Sequence, residues 1–257
     1  WTYKYEVGAA KKAAAVLIVH ETEPAAYPFS VVQSKVTEQV DLAAADDNMS
    51  RVAVEGWITL DQAKALFAMA GRDFDVLKKE AATRAFKPVA LGVTASMTIK
   101  NTVRRFASRN VVGMVEGSDP VLKHEYIIYT SHWDHYGIGP TINGDSIYNG
   151  ALDNATGIGG TIEIGRAFTT LPARPKRSIV FLAVTAEEQG LVGSDYYARN
   201  PIYPLAKTLA VINMDSLNIY GRTRDLTVVG LGNSQLDDYA REAAAAQGRV
   251  LKPDPSP

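Results

Sequence analysis

The stretch Glu125–His135, EYIIYTSHWDH, runs from an apolar segment into two histidines around one aspartate. Its first eight residues have the length and character of a buried strand, and the pattern recurs in NVVGMVEG (110–117), RSIVFLAVTA (177–186), KTLAVINMD (207–215) and DLTVVGLG (225–232). Between these runs, ATGIGGTIEIGRAFTT (155–170), GSDYYARN (193–200) and SQLDDYAREAAAA (234–246) read as helices. Near-continuous apolar strands alternating with helices predict an α/β fold with a mostly parallel, doubly wound sheet covered on both faces. In such sheets ligands gather at the carboxyl ends of strands.

Polar residues cluster where those strands stop: His132 and Asp134 after EYIIYTS, Glu187 and Glu188 after SIVFLAVTA, Asp215 after LAVINM. Asp153, in NGALDNATG, stands just before the helix expected from Ala155. One strand ending in a carboxylate is accounted for by a helix cap or a surface residue. Three such ends and a helix entrance point instead to a shared cation. On extended backbone His132 and Asp134 leave the same face, so the carboxylate is expected to accept the imidazole's second N–H and fix which nitrogen faces a metal. His135 has the opposite pleat direction and is expected beside the site or in a substrate pocket. Glu187 and Glu188 are adjacent, so their side chains diverge; one suits a metal and the other a general base acting on water.

The 257 residues, 46% hydrophobic and 21% charged, suffice for one large or two smaller domains, and two are expected. A net charge of −1 without a basic stripe argues against nucleic acid and anionic membranes as partners. No apolar run approaches the roughly 20 residues that span a bilayer. The absence of cysteine removes disulfides, thiolate metal sites and cysteine nucleophiles. There is no G-x-S-x-G elbow, no P-loop and no complete G-x-G-x-x-G. The first block reads as a helix (5–15), a buried strand (15–20), a long loop rich in proline and small polar residues, a strand (51–59) and two amphipathic helices (60–71 and 73–86). VTASMTIKNTV (93–103) alternates with period two and predicts a half-exposed strand between the domains.

The motifs SHWDH, GALDNATG, TAEEQGLVGSDYY and VINMDS, in this order, resemble those of the M28-type dinuclear zinc aminopeptidases over about residues 108–247. WTYKYEVGAAKKAAAVLIVHETEPAAYPFSVVQ (1–33) resembles part of the protease-associated domain inserted in many such peptidases. The resemblance implies a partial α+β protease-associated domain over 1–92, a connecting strand over 93–108 and a peptidase domain over 109–257. It assigns His132 and Asp215 to one zinc, Glu188 to the other and Asp153 to both, with Glu187 as general base and Asp134 orienting His132. It also implies a cis peptide between Asp153 and Asn154.

The activity so implied is metal-assisted hydrolysis of peptides from the amino terminus. Imidazole and carboxylates suit zinc, with cobalt or manganese as alternatives. A carboxypeptidase or dipeptidase on the same scaffold, or a non-catalytic receptor-like relative, are the competing readings. The resemblance tilts the expected location toward export, secreted or periplasmic. The family's last metal-binding histidine has no counterpart after His135. A chain starting at Trp1 and stopping at KPDPSP is therefore read as an internal fragment with an incomplete second zinc site and little activity.

Overall fold

The computed structural model describes residues 2–33 and 39–254. In chain order its elements are α1 (Thr2–Ala10), β1 (Ala15–His20), α2 (Thr22–Ala25), α3 (Phe29–Gln33), β2 (Val54–Thr59), α4 (Leu60–Met69), α5 (Phe74–Ala81), β3 (Val111–Val115), β4 (Tyr126–His132), β5 (Gly137–Ile142), β6 (Asp145–Tyr148), α6 (Ala155–Thr169), β7 (Ser178–Val184), α7 (Val192–Arg199), β8 (Thr208–Asn213), β9 (Asp225–Val228), α8 (Leu236–Ala246) and β10 (Val250–Pro253). They fall into two compact units, one of Trp1–Asn110 with Val184–Ile202, the other of Val111–Ala183 with Tyr203–Pro257.

In the first unit β1 and β2 pair in parallel from Ala15↔Val54 to His20↔Thr59. Helix α1 lies on β1 and is pinned by the buried Tyr5, whose hydroxyl donates to the Gly56 carbonyl at 3.1 Å. Thr59 ends β2 and caps α4. Its hydroxyl accepts from Gln62 N–H while the Gln62 side chain accepts from Thr59 N–H, so two otherwise orphaned donors are satisfied reciprocally. The expected long loop after β1 holds the two short helices α2 and α3; its stretch 34–38 lies outside the described residues, as do the last three residues of KPDPSP.

The strand expected over 93–103, and with it a connecting strand over 93–108, does not form. Residues 86–110 carry no regular structure, and Val103 is 84% exposed. Period-two alternation makes a strand only where a neighbour takes up the backbone N–H and C=O groups. This segment has no such neighbour among the described residues.

The second unit is built on a four-stranded sheet in the order β3-β7-β4-β8. β4 and β8 run parallel, from Tyr126↔Thr208 to Thr130↔Asn213, whereas the edge strand β3 is antiparallel to β7. Ile128, Ile179, Val180 and Leu182 form the buried core of its central strands. Helix α6 packs on β4, and Phe168 meets Tyr129 and Phe181 with ring centroids 6.0 and 6.3 Å away. Small residues permit this approach: Gly165 faces the Phe181 ring, and Ser131 and Thr161 share a buried hydroxyl contact at 2.9 Å. The run 225–232 supplies β9, which pairs with β10 and not with the main sheet. β5 and β6 form a separate antiparallel hairpin immediately after the histidine cluster.

Candidate metal centre

His132 is the last residue of β4 and is 2% exposed. The strand ends there, so the pleat does not carry on to Asp134. His132 Nδ1 lies 3.0 Å from the Asp134 backbone carbonyl and 3.8 Å from the Asp134 carboxylate. The partner expected from sequence thus holds the ring through its main chain. A carbonyl only accepts, so Nδ1 carries the hydrogen and Nε2 is turned to the other side.

Nε2 faces two carboxylates. Asp153 Oδ1 is 2.9 Å away and Asp215 Oδ1 3.5 Å, and all three atoms lie within 4.8 Å of one another. Asp153 precedes α6 and Asp215 follows β8, so the trio gathers a strand end, a helix entrance and a second strand end. Both carboxylates are partly exposed while the imidazole is buried, which opens the centre to solvent on one side. Two carboxylates about 4 Å apart repel by about 1 kcal/mol in water-like surroundings and about 4 kcal/mol at an effective dielectric of 20. A neutral Nε2 adds a third lone pair to this set and leaves the buried Asp153 Oδ1 without a donor. A divalent cation among the three atoms removes both costs. One imidazole and two carboxylates, without thiolate, form a donor set suited to zinc.

Asn154 braces the trio. The Asp153–Asn154 peptide is cis, as the resemblance implies. The Asn154 side chain is 2% exposed; its Nδ2 donates to the Met214 carbonyl at 2.9 Å and its Oδ1 accepts from Gly157 N–H at 2.9 Å and Ser216 N–H at 3.3 Å. One amide therefore caps α6 and ties it to the residues on either side of Asp215. A Cβ on Gly157 would overlap both that amide and the Met214 carbonyl, which explains glycine in the first turn of α6. This brace was absent from the reading of the sequence, although asparagine directly before a helix is a recognisable N-cap signal.

Glu187 and Glu188 belong to the segment Val184–Ile202 of the first unit. The Glu187 carbonyl accepts from Gly190 and Leu191 N–H, both at 2.9 Å, in a tight turn leading into α7. Asn110 clamps that turn, its Oδ1 accepting from Thr185 N–H at 3.0 Å and its Nδ2 donating to the Gly193 carbonyl at 2.8 Å. Glu188 is buried and Glu187 half-buried, so the neighbouring side chains have different surroundings. His135 lines a pocket of about 460 Å³ with Trp133, Asp134, Tyr148, Asn154 and Ile158.

An α/β unit in which two strand ends and a helix entrance gather a histidine and two aspartates defines a candidate metal centre. Residues 110–257 match the model of peptidase family M28, and the chain belongs to that family. It is 33% identical over 129 residues to the mouse Aminopeptidase NAALADL1, covering 48% of this chain and 16% of that protein. A "Probable zinc metalloprotease" of Pyricularia oryzae is 32% identical over 133 residues, 48% of this chain and 25% of that protein. The Glutamate carboxypeptidase 2 homolog of Caenorhabditis elegans is 30% identical over 131 residues, 49% and 15% respectively. The matched region thus spans about a sixth to a quarter of these relatives.

Proposed function

We propose that the protein is a zinc-dependent exopeptidase, an aminopeptidase that hydrolyses the first peptide bond of its substrate. The observation that carries this is the turning of His132 Nε2 toward Asp153 Oδ1 and Asp215 Oδ1, at 2.9 and 3.5 Å. Membership of a peptidase family and relatives named as aminopeptidase and zinc metalloprotease support it.

His132, Asp153 and Asp215 are the residues that would hold zinc. When bound, zinc supplies a Lewis acid that polarises the scissile carbonyl and acidifies water. Asp134 fixes the His132 ring through its carbonyl, so Nε2 stays free of hydrogen. Glu187 is proposed to take the proton of the attacking water and to return it to the departing amine nitrogen as the C–N bond breaks. A second zinc, with Asp153 shared and Glu188 as its ligand, is the finer form of the proposal. Both glutamate roles rest on the motif that follows β7. The protease-associated reading of 1–92 and export to the periplasm or outside the cell likewise rest on resemblance; among the described residues no helix is long and apolar enough to cross a membrane.

The test is hydrolysis of peptides blocked at the amino or carboxyl end, with and without zinc. Cleavage that needs a free amino terminus and is abolished by a chelator is expected. Cleavage that needs a free carboxyl terminus would favour the second reading, a carboxypeptidase, for which the similarity to the nematode relative speaks. Activity indifferent to chelation would end both.

A further inference from the structure

Thr156, the second residue of α6, bonds in two directions at once. Its hydroxyl donates to the Leu152 carbonyl at 2.6 Å and accepts from Leu217 N–H at 3.0 Å. The Leu152 carbonyl belongs to the peptide that joins Leu152 to Asp153, and Leu217 follows Asp215 by two residues. One oxygen therefore spans the gap between the two segments that carry the carboxylates. Threonine in a helix commonly bonds back to the carbonyl four residues earlier. Leu152 lies outside α6, so here that bond ties the helix to the chain that enters it.

The segment 214–217 is shaped to receive this bond. Ser216 has a left-handed backbone, with φ 46°. Its N–H and that of Leu217 both turn to the start of α6, one to Asn154 Oδ1 at 3.3 Å and the other to Thr156 Oγ1 at 3.0 Å. Gly160 gives room, since an added Cβ there would come within 3.0 Å of the Leu217 side chain and 3.5 Å of Met214 Sδ. The Ser216 hydroxyl donates back to Asp215 Oδ1 at 3.2 Å, the oxygen that faces His132 Nε2. A carboxylate oxygen has two lone pairs, so this bond orients Asp215 and still leaves a lone pair for a cation.

We propose that Thr156 is a positioning residue that sets the separation of Asp153 and Asp215, with the Ser216 hydroxyl orienting the second carboxylate. The proposal rests on the zinc-peptidase reading above. Asn154 grips the peptides on either side of Asp215, whereas Thr156 grips the one that precedes Asp153. Without the Thr156 hydroxyl the two carboxylates are joined through Asn154 alone, and a cation has to draw them together as it binds. Hydrogen-bond partners around a metal site contribute about 10–100-fold to metal affinity. Both bonds of Thr156 are open to solvent, so Thr156→Val is expected at the lower end, a loss of about tenfold in zinc affinity.

The test is zinc binding to the full 257-residue chain, measured by competition with a chelator of known affinity. Cobalt(II) in place of zinc reports the geometry of the donor set, and denaturant unfolding of the metal-free protein reports the fold. Thr156→Val is expected to lose about tenfold in zinc affinity and to alter the visible cobalt spectrum, and Thr156→Ser, which keeps the hydroxyl, to restore both. Thr156→Ala repeats the comparison should Thr156→Val fail to fold. Ser216→Gly keeps the left-handed turn and removes only the other hydroxyl; it should weaken zinc in the same sense, and unchanged affinity there removes Ser216 from the proposal. Thr156→Val with wild-type affinity and spectrum, or Thr156→Ser as weak as Thr156→Val, overturns the positioning role. So does a fall in affinity that merely follows lost stability while the cobalt spectrum stays the same. Chelator-sensitive hydrolysis by the wild type would in those cases leave the peptidase reading standing. Zinc affinity that depends on the Thr156 hydroxyl, in a wild type that cleaves no peptide, supports the positioning role and overturns the peptidase reading. A wild type that takes up neither zinc nor cobalt overturns both.

Discussion

His132 concentrates the chemistry because its two nitrogens have separate tasks. Nδ1 is held by the Asp134 carbonyl and Nε2 meets Asp153 and Asp215. His132→Ala is expected to weaken zinc retention by more than the roughly 10–100-fold that outer partners of a ligand contribute, as read by equilibrium dialysis against a competing chelator. Asp134→Asn preserves the carbonyl and is expected to change zinc affinity far less. Asn154 is the second decisive residue. Asn154→Ala removes a helix cap, costing about 0.5–2 kcal/mol, and leaves the Met214 carbonyl without its donor, at about 1–3 kcal/mol more if no water replaces it. Denaturant unfolding measures the sum. Zinc affinity should fall together with stability, because the same amide holds Asp215 near Asp153.

Helix α6 and strand β4 depend on how their ends are pinned. β4 is entered through a turn in which the Asp119 carboxylate accepts from Val121 and Leu122 N–H, each at 2.9 Å. These bonds, that from Leu122 foremost, lower the pKa of its acid from the ordinary aspartate value. A group with a lowered folded pKa stabilises fully above its unfolded value and loses that contribution as pH falls through the folded one. The stability difference between wild type and Asp119→Ala is therefore expected at neutral pH and should close as pH drops below the ordinary aspartate value of about 3.9. Thermal melting of both proteins across acid pH checks this. At the other end of the layer, Gly157→Ala forces a methyl group against Asn154 and Met214. Overpacking of this kind costs about 1–3 kcal/mol, and here it also displaces the brace of the metal centre.

For the molecule as a whole, zinc held at the proposed centre would link metal binding to folding. The three candidate ligands come from different elements of one unit and are brought together only when β4, α6 and β8 are in place. A ligand that binds the folded state alone stabilises it by RT ln(1 + [L]/Kd), about 2.7 kcal/mol at one hundred times Kd. Free zinc at that level is expected to raise the melting temperature, a chelator to reverse the gain, and His132→Ala to abolish it. Differential scanning calorimetry reads all three. An equal gain in the variant would mean that zinc binds elsewhere.

Local pattern was enough for much of this. The apolar run EYIIYTSH became β4 over Tyr126–His132, and ATGIGGTIEIGRAFTT became α6 over Ala155–Thr169, because burial period and capping chemistry act over a few residues. Even the hairpin β5–β6 left a legible mark, the Asn143–Gly144 pair with both residues at positive φ, which the strand-and-helix reading passed over. Three outcomes were beyond any local pattern. Residues 93–103 alternate like a strand but have no strand to pair with among the described residues. His132 is held by the Asp134 carbonyl, with the carboxylate 3.8 Å away, since the strand stops at His132, two residues short of Asp134. His132, Asp153 and Asp215, distant along the chain, share one centre because β4 and β8 are parallel neighbours and Asn154 ties the entrance of α6 to them. Side-chain chemistry is written residue by residue, whereas hydrogen-bond partners and the meeting of distant ligands depend on which elements pack together.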